Sequence, residues 1–256
     1  MRFDASFEPR PATLDLWFID LAIEASDDEW GLLAADERER AERLIIPSKR
    51  RQSVRARAAL RRVLAGYVGE REAATLRFGY GDQGKPRLEH PDTPTFNLSH
   101  SHEIGLLGVV LGELELGIDV EHARPGRAFS SIAEHFFTLD EAAWLASLGP
   151  HDCARGFYRM WTHKEAYLKA LGTGLSFSSR GFSLAVDDEP ASLRSTSYPG
   201  DRAERWRFAR LACPPGYAAA ACWAGGPLEL RCFVAPGSGP ECGLEREPDS
   251  LLADRP

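Results

Sequence analysis

The sequence has few cysteines and lacks several motifs that would assign it to a familiar class. Its five cysteines among 256 residues include no Cys-x-x-Cys pair, so we expect neither a disulfide framework nor a zinc site. No apolar run is long enough for a transmembrane helix, and the charged N-terminus does not resemble a secretory signal. P-loop and Rossmann glycine motifs are also missing. We therefore expect a cytoplasmic protein with no membrane partner.

Charge is distributed unevenly along the chain. Lys and Arg total 31 against 38 for Asp and Glu, and the net charge of -7 argues against a nucleic-acid partner. Between Lys49 and Arg62, however, there are seven basic residues and no acidic one. Two interpretations of this stretch stay open, a solvated helix face and an anion-binding site.

Hydrophobic patterning predicts an α+β fold. Period-two alternation and short apolar runs predict strands at about 13–22, 95–100, 104–111, 180–186, 205–211, 217–224 and 228–234. The run 114–121 is predicted to be the hairpin partner of strand 104–111. Helices are predicted at about 48–66, 127–134, 138–148 and 151–171, the last ending at Gly172.

The same order of elements occurs twice, with strand, helices and antiparallel strands in each half. This order predicts a pseudo-two-fold duplication of two similar α+β lobes, each with a small, mainly antiparallel sheet packed against helices. We place the lobes at 1–113 and 114–235, with the active site in the cleft between them. Residues 236–256 hold five acidic and two basic residues and are predicted to form a disordered acidic tail.

Three carboxylates form the main candidate site. Asp119 and Glu121 are two apart on a predicted strand, so both leave the same face. Glu165 and Lys169 lie one turn apart on a predicted helix. Such acids suit Mg²⁺, and the lysine suits a phosphate. The alternatives are an exposed strand edge and an ordinary helix ion pair.

A second polar cluster, Ser99 to His102, follows a predicted strand. Without a Gly-x-Ser-x-Gly elbow or further metal ligands, it favours neither a serine hydrolase nor a zinc site. It fits hydrogen bonding to a ligand phosphate or base, and a purely structural histidine is the alternative. Together these residues indicate phosphoryl-type chemistry.

Four segments resemble motifs of the 4'-phosphopantetheinyl transferases, and they occur in that family's order. They are Gly84-Lys85-Pro86, Phe96-Asn97-Leu98-Ser99-His100-Ser101, Gly117-Ile118-Asp119-Val120-Glu121 and Trp161-Thr162-His163-Lys164-Glu165-Ala166-Tyr167-Leu168-Lys169-Ala170. Length and spacing resemble the two-lobed monomeric class that activates synthetases of secondary metabolism.

The resemblance implies roles for individual residues. Asp119, Glu121 and Glu165 match the family's Mg²⁺ ligands, Glu165 also its candidate base, and Lys169 its phosphate contact. The catalytic set would be Asp119, Glu165 and Lys169. The implied coenzyme A contacts are Arg51, Lys85, Ser99, His100, Lys164 and Lys169, with Arg43, Arg55 and Arg57 as alternatives to Arg51 for the 3'-phosphate.

The implied reaction transfers 4'-phosphopantetheine from coenzyme A to a serine of an apo acyl- or peptidyl-carrier protein, with release of 3',5'-ADP. Two alternatives stay open. One is a Mg²⁺-dependent hydrolase of coenzyme A or nucleotide phosphoesters, and the other is a non-catalytic homologue that binds carrier proteins.

Overall fold

A computed structural model describes residues 7–70, 72–81, 83–90, 93–124, 126 and 128–238, and it shows a mixture of helices and small sheets. The described residues fall into two units. Among the described residues, the first unit draws on 7–81, 86–113 and 228–238, and the second on 83–85 and 114–227. The predicted α+β class is confirmed. The lobe boundaries at 113 and 235 stay predictions, and residues 239–256 of the predicted tail lie outside the described residues.

The first unit begins with a strand and three helices, followed by four strands. These elements are β1 (Thr13–Asp20), α1 (Asp27–Leu32), α2 (Ala35–Glu42), α3 (Pro47–Tyr67), β2 (Phe78–Tyr80), β3 (Pro86–Leu88), β4 (Thr95–Ser101) and β5 (Ile104–Val110). β5 lies between β1 and β4 and is antiparallel to both. Apolar residues of α3, among them Leu60 and Val63, join Trp17 and Leu107 in the core of this unit.

The second unit contains the remaining helices and a three-stranded antiparallel sheet. Its elements are β6 (Leu116–His122), α4 (Phe129–Phe136), α5 (Leu139–Ser147), α6 (Pro150–Leu171), β7 (Phe182–Ala185), β8 (Ser192–Thr196), β9 (Trp206–Leu211) and β10 (Tyr217–Ala224). β10 is the central strand between β6 and β9. α6 ends where predicted, because Gly172 adopts a left-handed conformation with φ of 69° that suits glycine.

The predicted hairpin between strands 104–111 and 114–121 is wrong. Both edges of β5 are already paired, one with β1 and the other with β4. β6 pairs instead with β10, with Asp119 opposite Ala220. Gly112, at φ of 86°, lies in the connection that carries the chain from the first unit into the second.

The last strand, β11 (Glu229–Val234), belongs to the sheet of the first unit, where it runs parallel to β1. Arg231 on β11 binds both carboxylate oxygens of the buried Asp15 on β1, at 2.7 and 2.8 Å. Tyr67 at the end of α3 donates its hydroxyl to the same carboxylate at 2.6 Å. The first sheet is therefore antiparallel except for the neighbours β1 and β11, which the ion pair between Arg231 and Asp15 holds together.

None of the described helices combines the length and the apolar character needed to cross a bilayer.

Candidate active site in the second unit

Two of the predicted acids lie on β6 and share one face. Asp119 is buried and Glu121 is partly exposed. Their partners on β10 are Ala220 and Ala218, whose methyl side chains leave space beside the carboxylates. The antiparallel pairing thus places both acids on a sheet surface of small residues.

Helix α6 packs very closely on β6, and Gly117 is the residue that permits it. A Cβ atom at Gly117 would lie 1.9 Å from the carbonyl oxygen of Ala166 and 2.5 Å from the amide nitrogen of Ala170. Only glycine fits between the two backbones. Ala166 follows Glu165 directly, so this approach brings Glu165 and Lys169 to the strand that carries Asp119.

Asp119, Glu121 and Glu165, which we call the acid cluster, interact electrostatically with one another and with Lys169. The ammonium of Lys169 lies 2.6 Å from Oδ1 of Asp119. Burial raises the pKa of Asp119 to about 6, against the lowering effect of Lys169 and with further contributions from Glu121 and Glu165. Burial also raises the pKa of Glu165, again opposed by Lys169 and assisted by Glu121. The acid cluster is therefore an anionic site, and Lys169 supplies the positive charge beside it.

The chemistry of the acid cluster fits Mg²⁺, because three neighbouring carboxylates offer hard oxygen ligands and destabilise one another unless a cation is close. The side chains are not gathered as around a bound ion: within the described part of the chain, no three His, Cys, Asp or Glu residues form such a group. In this structure Lys169 supplies the compensating charge at Asp119.

Lys164 lies in the core of the second unit. Its ammonium donates to both carboxylate oxygens of Glu141, at 2.9 and 2.7 Å, and to the carbonyl oxygen of Phe182 at 3.1 Å. Both members of the ion pair are 2% exposed. All three N–H groups of Lys164 are thus used inside the protein, and its predicted contact with coenzyme A has no support in this arrangement.

Lys85 also has a structural set of partners. Its ammonium donates to three backbone carbonyls, those of Leu116 at 2.9 Å, Lys169 at 2.8 Å and Ala170 at 3.2 Å. Burial lowers the pKa of Lys85 to about 8. Lys85 therefore joins the start of β6 to the last turn of α6, and this arrangement gives no support to its predicted coenzyme A contact.

Three arginines of the basic stretch on α3 match neither interpretation that the sequence left open. Arg55 binds Glu29 of α1 at 3.0 Å, with both side chains 4% exposed. Arg57 and Arg61 both bind Glu37 of α2, and Arg61 is fully buried. These arginines are interior ion-pair partners that join α3 to the two preceding helices.

The other predicted coenzyme A contacts lie in the first unit. Arg51 pairs at 2.7 Å with the exposed Glu24, and Arg43 with Glu39 at 2.5 Å. Ser99 and His100 lie near the end of β4, Ser99 buried and His100 exposed. The structure brings Asp119, Glu121, Glu165 and Lys169 together, and the coenzyme A assignments of Arg51, Ser99 and His100 stay predictions.

Glu141 and Gly117 are important residues that the sequence argument did not single out. Glu141 accepts hydrogen bonds from the amides of Thr138 and Leu184 as well as from Lys164. Thr138 and Glu141 form a capping box at the start of α5, and the Thr-x-x-Glu spacing was a visible signal of it.

Several known proteins are similar in sequence to this chain. The family model of the 4'-phosphopantetheinyl transferase superfamily matches residues 115–222. HetI, a 4'-phosphopantetheinyl transferase of Nostoc, is 36% identical over 199 residues, which cover 73% of this chain and 83% of HetI. The chain belongs to the 4'-phosphopantetheinyl transferase superfamily.

Two further transferases extend the comparison. A phosphopantetheinyl transferase of Thraustochytrium is 30% identical over 200 residues, covering 70% of this chain and 68% of that protein. A 4'-phosphopantetheinyl transferase of Bacillus subtilis is 27% identical over 174 residues, covering 67% and 75%. The protein is thus a transferase of phosphopantetheine to carrier proteins, with coenzyme A as the family's substrate. The segment matched by the family model, 115–222, contains the whole acid cluster and Lys169.

Proposed function

We propose that this enzyme transfers 4'-phosphopantetheine from coenzyme A to a serine of an apo acyl- or peptidyl-carrier protein, with Mg²⁺ held by the acid cluster. The juxtaposition of three mutually interacting carboxylates with Lys169 is the observation that carries the proposal. We further propose that it acts as a monomer on synthetases of secondary metabolism. The predicted duplication and the cleft between lobes stay predictions.

The transfer needs a base for the serine hydroxyl. The serine oxygen attacks the phosphorus atom bonded to the pantetheine arm, and the bond from that phosphorus to the bridging oxygen breaks. The bond electrons and the negative charge leave with 3',5'-ADP. Glu165, whose pKa is raised by burial, takes the serine proton directly or through water.

Asp119 and Lys169 have complementary roles in this proposal. Asp119, Glu121 and Glu165 are the proposed ligands of Mg²⁺, which would neutralise charge on the diphosphate. Lys169, already 2.6 Å from Asp119, is long and partly exposed, so its ammonium can turn to the departing phosphate. Lys169 thereby compensates the negative charge of the acid cluster before the reaction and that of the phosphate during it.

The deciding experiment is intact-mass measurement of an apo-carrier protein after incubation with the enzyme, coenzyme A and Mg²⁺, with EDTA added in a parallel sample. We expect a gain of one phosphopantetheine mass that EDTA prevents. Consumption of coenzyme A with no gain in carrier mass would instead identify a hydrolase. No change in either would indicate a binding protein without this activity.

Asp119→Ala and Glu165→Gln test the site itself. We expect each substitution to lower kcat about 100-fold or more, because one removes a proposed metal ligand and the other the proposed base. Glu204→Gln, an exposed carboxylate in the same unit, is the matched control and should behave as wild type. Wild-type kcat in both site variants, with circular dichroism unchanged, would refute the assignment.

A further inference from the structure

Lys85 makes three hydrogen bonds that join the two elements of the candidate active site. Its ammonium donates to the carbonyl oxygens of Leu116 at 2.9 Å, Lys169 at 2.8 Å and Ala170 at 3.2 Å. Leu116 is the first residue of β6, and Lys169 and Ala170 lie in the last turn of α6. An ammonium has three N–H donors, so these carbonyls use all of them. Lys85 is therefore bound to the backbone of both elements that carry the acid cluster.

The carbonyl groups at the end of α6 need donors from outside the helix. The last four carbonyls of an α-helix lack intrahelical partners. In α6 the amide of Gly172 donates to the carbonyl oxygens of Leu168 and Lys169, at 3.1 and 3.3 Å. Lys85 supplies further donors to Lys169 and Ala170, and its positive charge lies at the negative end of the helix dipole. Lys85 thus acts as a C-terminal cap of α6.

The carbonyl of Leu116 faces Lys85 because β6 is an edge strand of its sheet. The amide of Ala224 on β10 donates to the carbonyl oxygen of Glu115 at 3.1 Å. Successive carbonyls of an antiparallel strand point to opposite sides, so the carbonyl of Leu116 points away from β10. The ammonium of Lys85 lies on this outer side of the strand. Asp119 follows on the same strand, three residues after Leu116.

The segment that carries Lys85 lies along the end of α6. Residues 83–85 group with the second unit. A Cβ atom at Gly172 would lie 3.5 Å from Cδ of Lys85, and one at Gly174 would lie 3.6 Å from Cβ of Gln83. The two stretches of chain therefore run side by side, with room for little more than a methyl group between them. The ammonium reaches its three carbonyls from a packed segment.

We infer that Lys85 is a positioning residue for the transfer, because it fixes the register of α6 against β6 and thereby the place of Lys169 beside Asp119. The inference rests on the proposed function for the roles of those two residues. Gly117 lets helix and strand approach, whereas Lys85 binds the backbone of Lys169 itself and of Leu116. A misplacement of about 1 Å can lower a catalytic rate about 100-fold, so loss of this link should reduce kcat.

A lysine that contacts the coenzyme would behave differently from a positioning lysine. A direct contact with a phosphate of coenzyme A contributes to the affinity for the coenzyme. A positioning residue contributes to turnover and leaves that affinity unchanged. Coenzyme A binding and kcat, measured on the same variant, therefore separate the two roles.

The test compares Lys85→Met with wild type, since methionine keeps an apolar stem and removes the ammonium. We expect kcat for carrier loading to fall at least about tenfold. The Kd of coenzyme A, measured by calorimetry with EDTA and without carrier, should stay within about twofold of wild type. A Kd raised about tenfold would identify a ligand contact and overturn the inference, and so would a wild-type kcat.

Ser26→Ala is the matched control, because it removes the side-chain cap of α1 in the first unit. Its Tm should fall, as that of Lys85→Met should, but its kcat should match wild type. An equal loss of kcat in Ser26→Ala would point to general destabilisation and overturn the positioning role.

Lys85→Gln keeps two N–H donors on a side chain one bond shorter, so it serves as the second variant if Lys85→Met does not fold. It should lose less kcat than Lys85→Met, with the same Kd for coenzyme A as wild type. A wild-type kcat or a weakened coenzyme affinity in Lys85→Gln would again contradict the inference. Failure of the proposed function would instead show in the wild-type enzyme, which would leave the mass of the carrier unchanged.

Discussion

At the scale of single residues, Lys169 is the cation that the acid cluster holds in this structure. Its ion pair with Asp119 competes with any other cation for the same carboxylate oxygen. Coenzyme A brings phosphate groups that can draw Lys169 away. A divalent metal ion should therefore bind more readily with the coenzyme than alone.

Substitution of Lys169 by Met tests this competition. We expect Lys169→Met to bind Mn²⁺ about tenfold more tightly than wild type without coenzyme A, because one positive charge is removed from beside three carboxylates. Electron paramagnetic resonance of free Mn²⁺ measures this affinity without turnover. Lys49→Met, which removes an exposed lysine of the first unit, is the control. Equal or weaker Mn²⁺ binding by Lys169→Met would contradict the competition.

Glu37 offers a residue-scale prediction on stability. Burial alone would raise its pKa, but hydrogen bonds from Arg61 and Arg57 outweigh burial and lower the pKa to about 2. Since the folded-state pKa lies below the unfolded value, the ionised form stabilises the fold above about pH 4.5, and this contribution is lost as the pH falls towards 2.

We expect the pair of arginines and Glu37 to contribute about 3 kcal/mol to the free energy of unfolding at neutral pH. Urea denaturation of wild type should show this contribution to the free energy of unfolding being lost between pH 6 and 2.5. Glu37→Gln should be less stable than wild type at pH 6, and its stability should depend less on pH. Identical pH profiles for the two proteins would remove Glu37 from this role.

At the scale of elements, the contact between β6 and α6 depends on Gly117. Gly117→Ala would place a methyl group 1.9 Å from a backbone oxygen, so strand and helix must separate. We expect a loss of about 1–3 kcal/mol in the free energy of unfolding and a lower kcat, because Asp119 moves relative to Glu165. Gly31→Ala, where a Cβ atom meets nothing within 4 Å, is the control. Wild-type stability and kcat in Gly117→Ala would show that the contact can relax.

Sequence predicted most elements because their signals are local. The alternation at the start of the chain gave β1, and Pro47 and Gly172 marked helix ends that the structure confirms. The partners of α3 were not predictable, because Glu29 and Glu37 lie on separate helices earlier in the chain. Lys164 was assigned to a ligand for the same reason: no local pattern shows that Glu141 meets it in the core.

Strand pairing shows the same limit. The hairpin assigned to residues 104–121 followed from sequence proximity, whereas β6 pairs with a strand that begins at Tyr217. Asp119, Glu121, Glu165 and Lys169 were predicted together because two short motifs carry them. Only the packing of α6 on β6 shows that they share one electrostatic site.

At the scale of the whole molecule, the sheet of the first unit depends on β11, which lies near the end of the described residues. A chain that ends at residue 227 lacks β11, leaving an edge of β1 unpaired and Asp15 without Arg231. Breaking a buried ion pair of this kind costs about 3–5 kcal/mol. We expect this truncated chain to unfold or aggregate, and a chain ending at residue 238 to keep a cooperative thermal transition. Calorimetry of the two chains would decide, and equal Tm values would disprove the dependence.

The parallel pairing of β1 with β11 also determines when the first sheet can be completed during translation. Arg231 is 216 residues from Asp15, so at ordinary translation speeds β1 waits on the order of 10–40 s for its last neighbour. The whole segment 114–227 is synthesised during that interval. β1 is therefore synthesised long before it is fully paired, and the nascent chain presents an open sheet edge until β11 arrives.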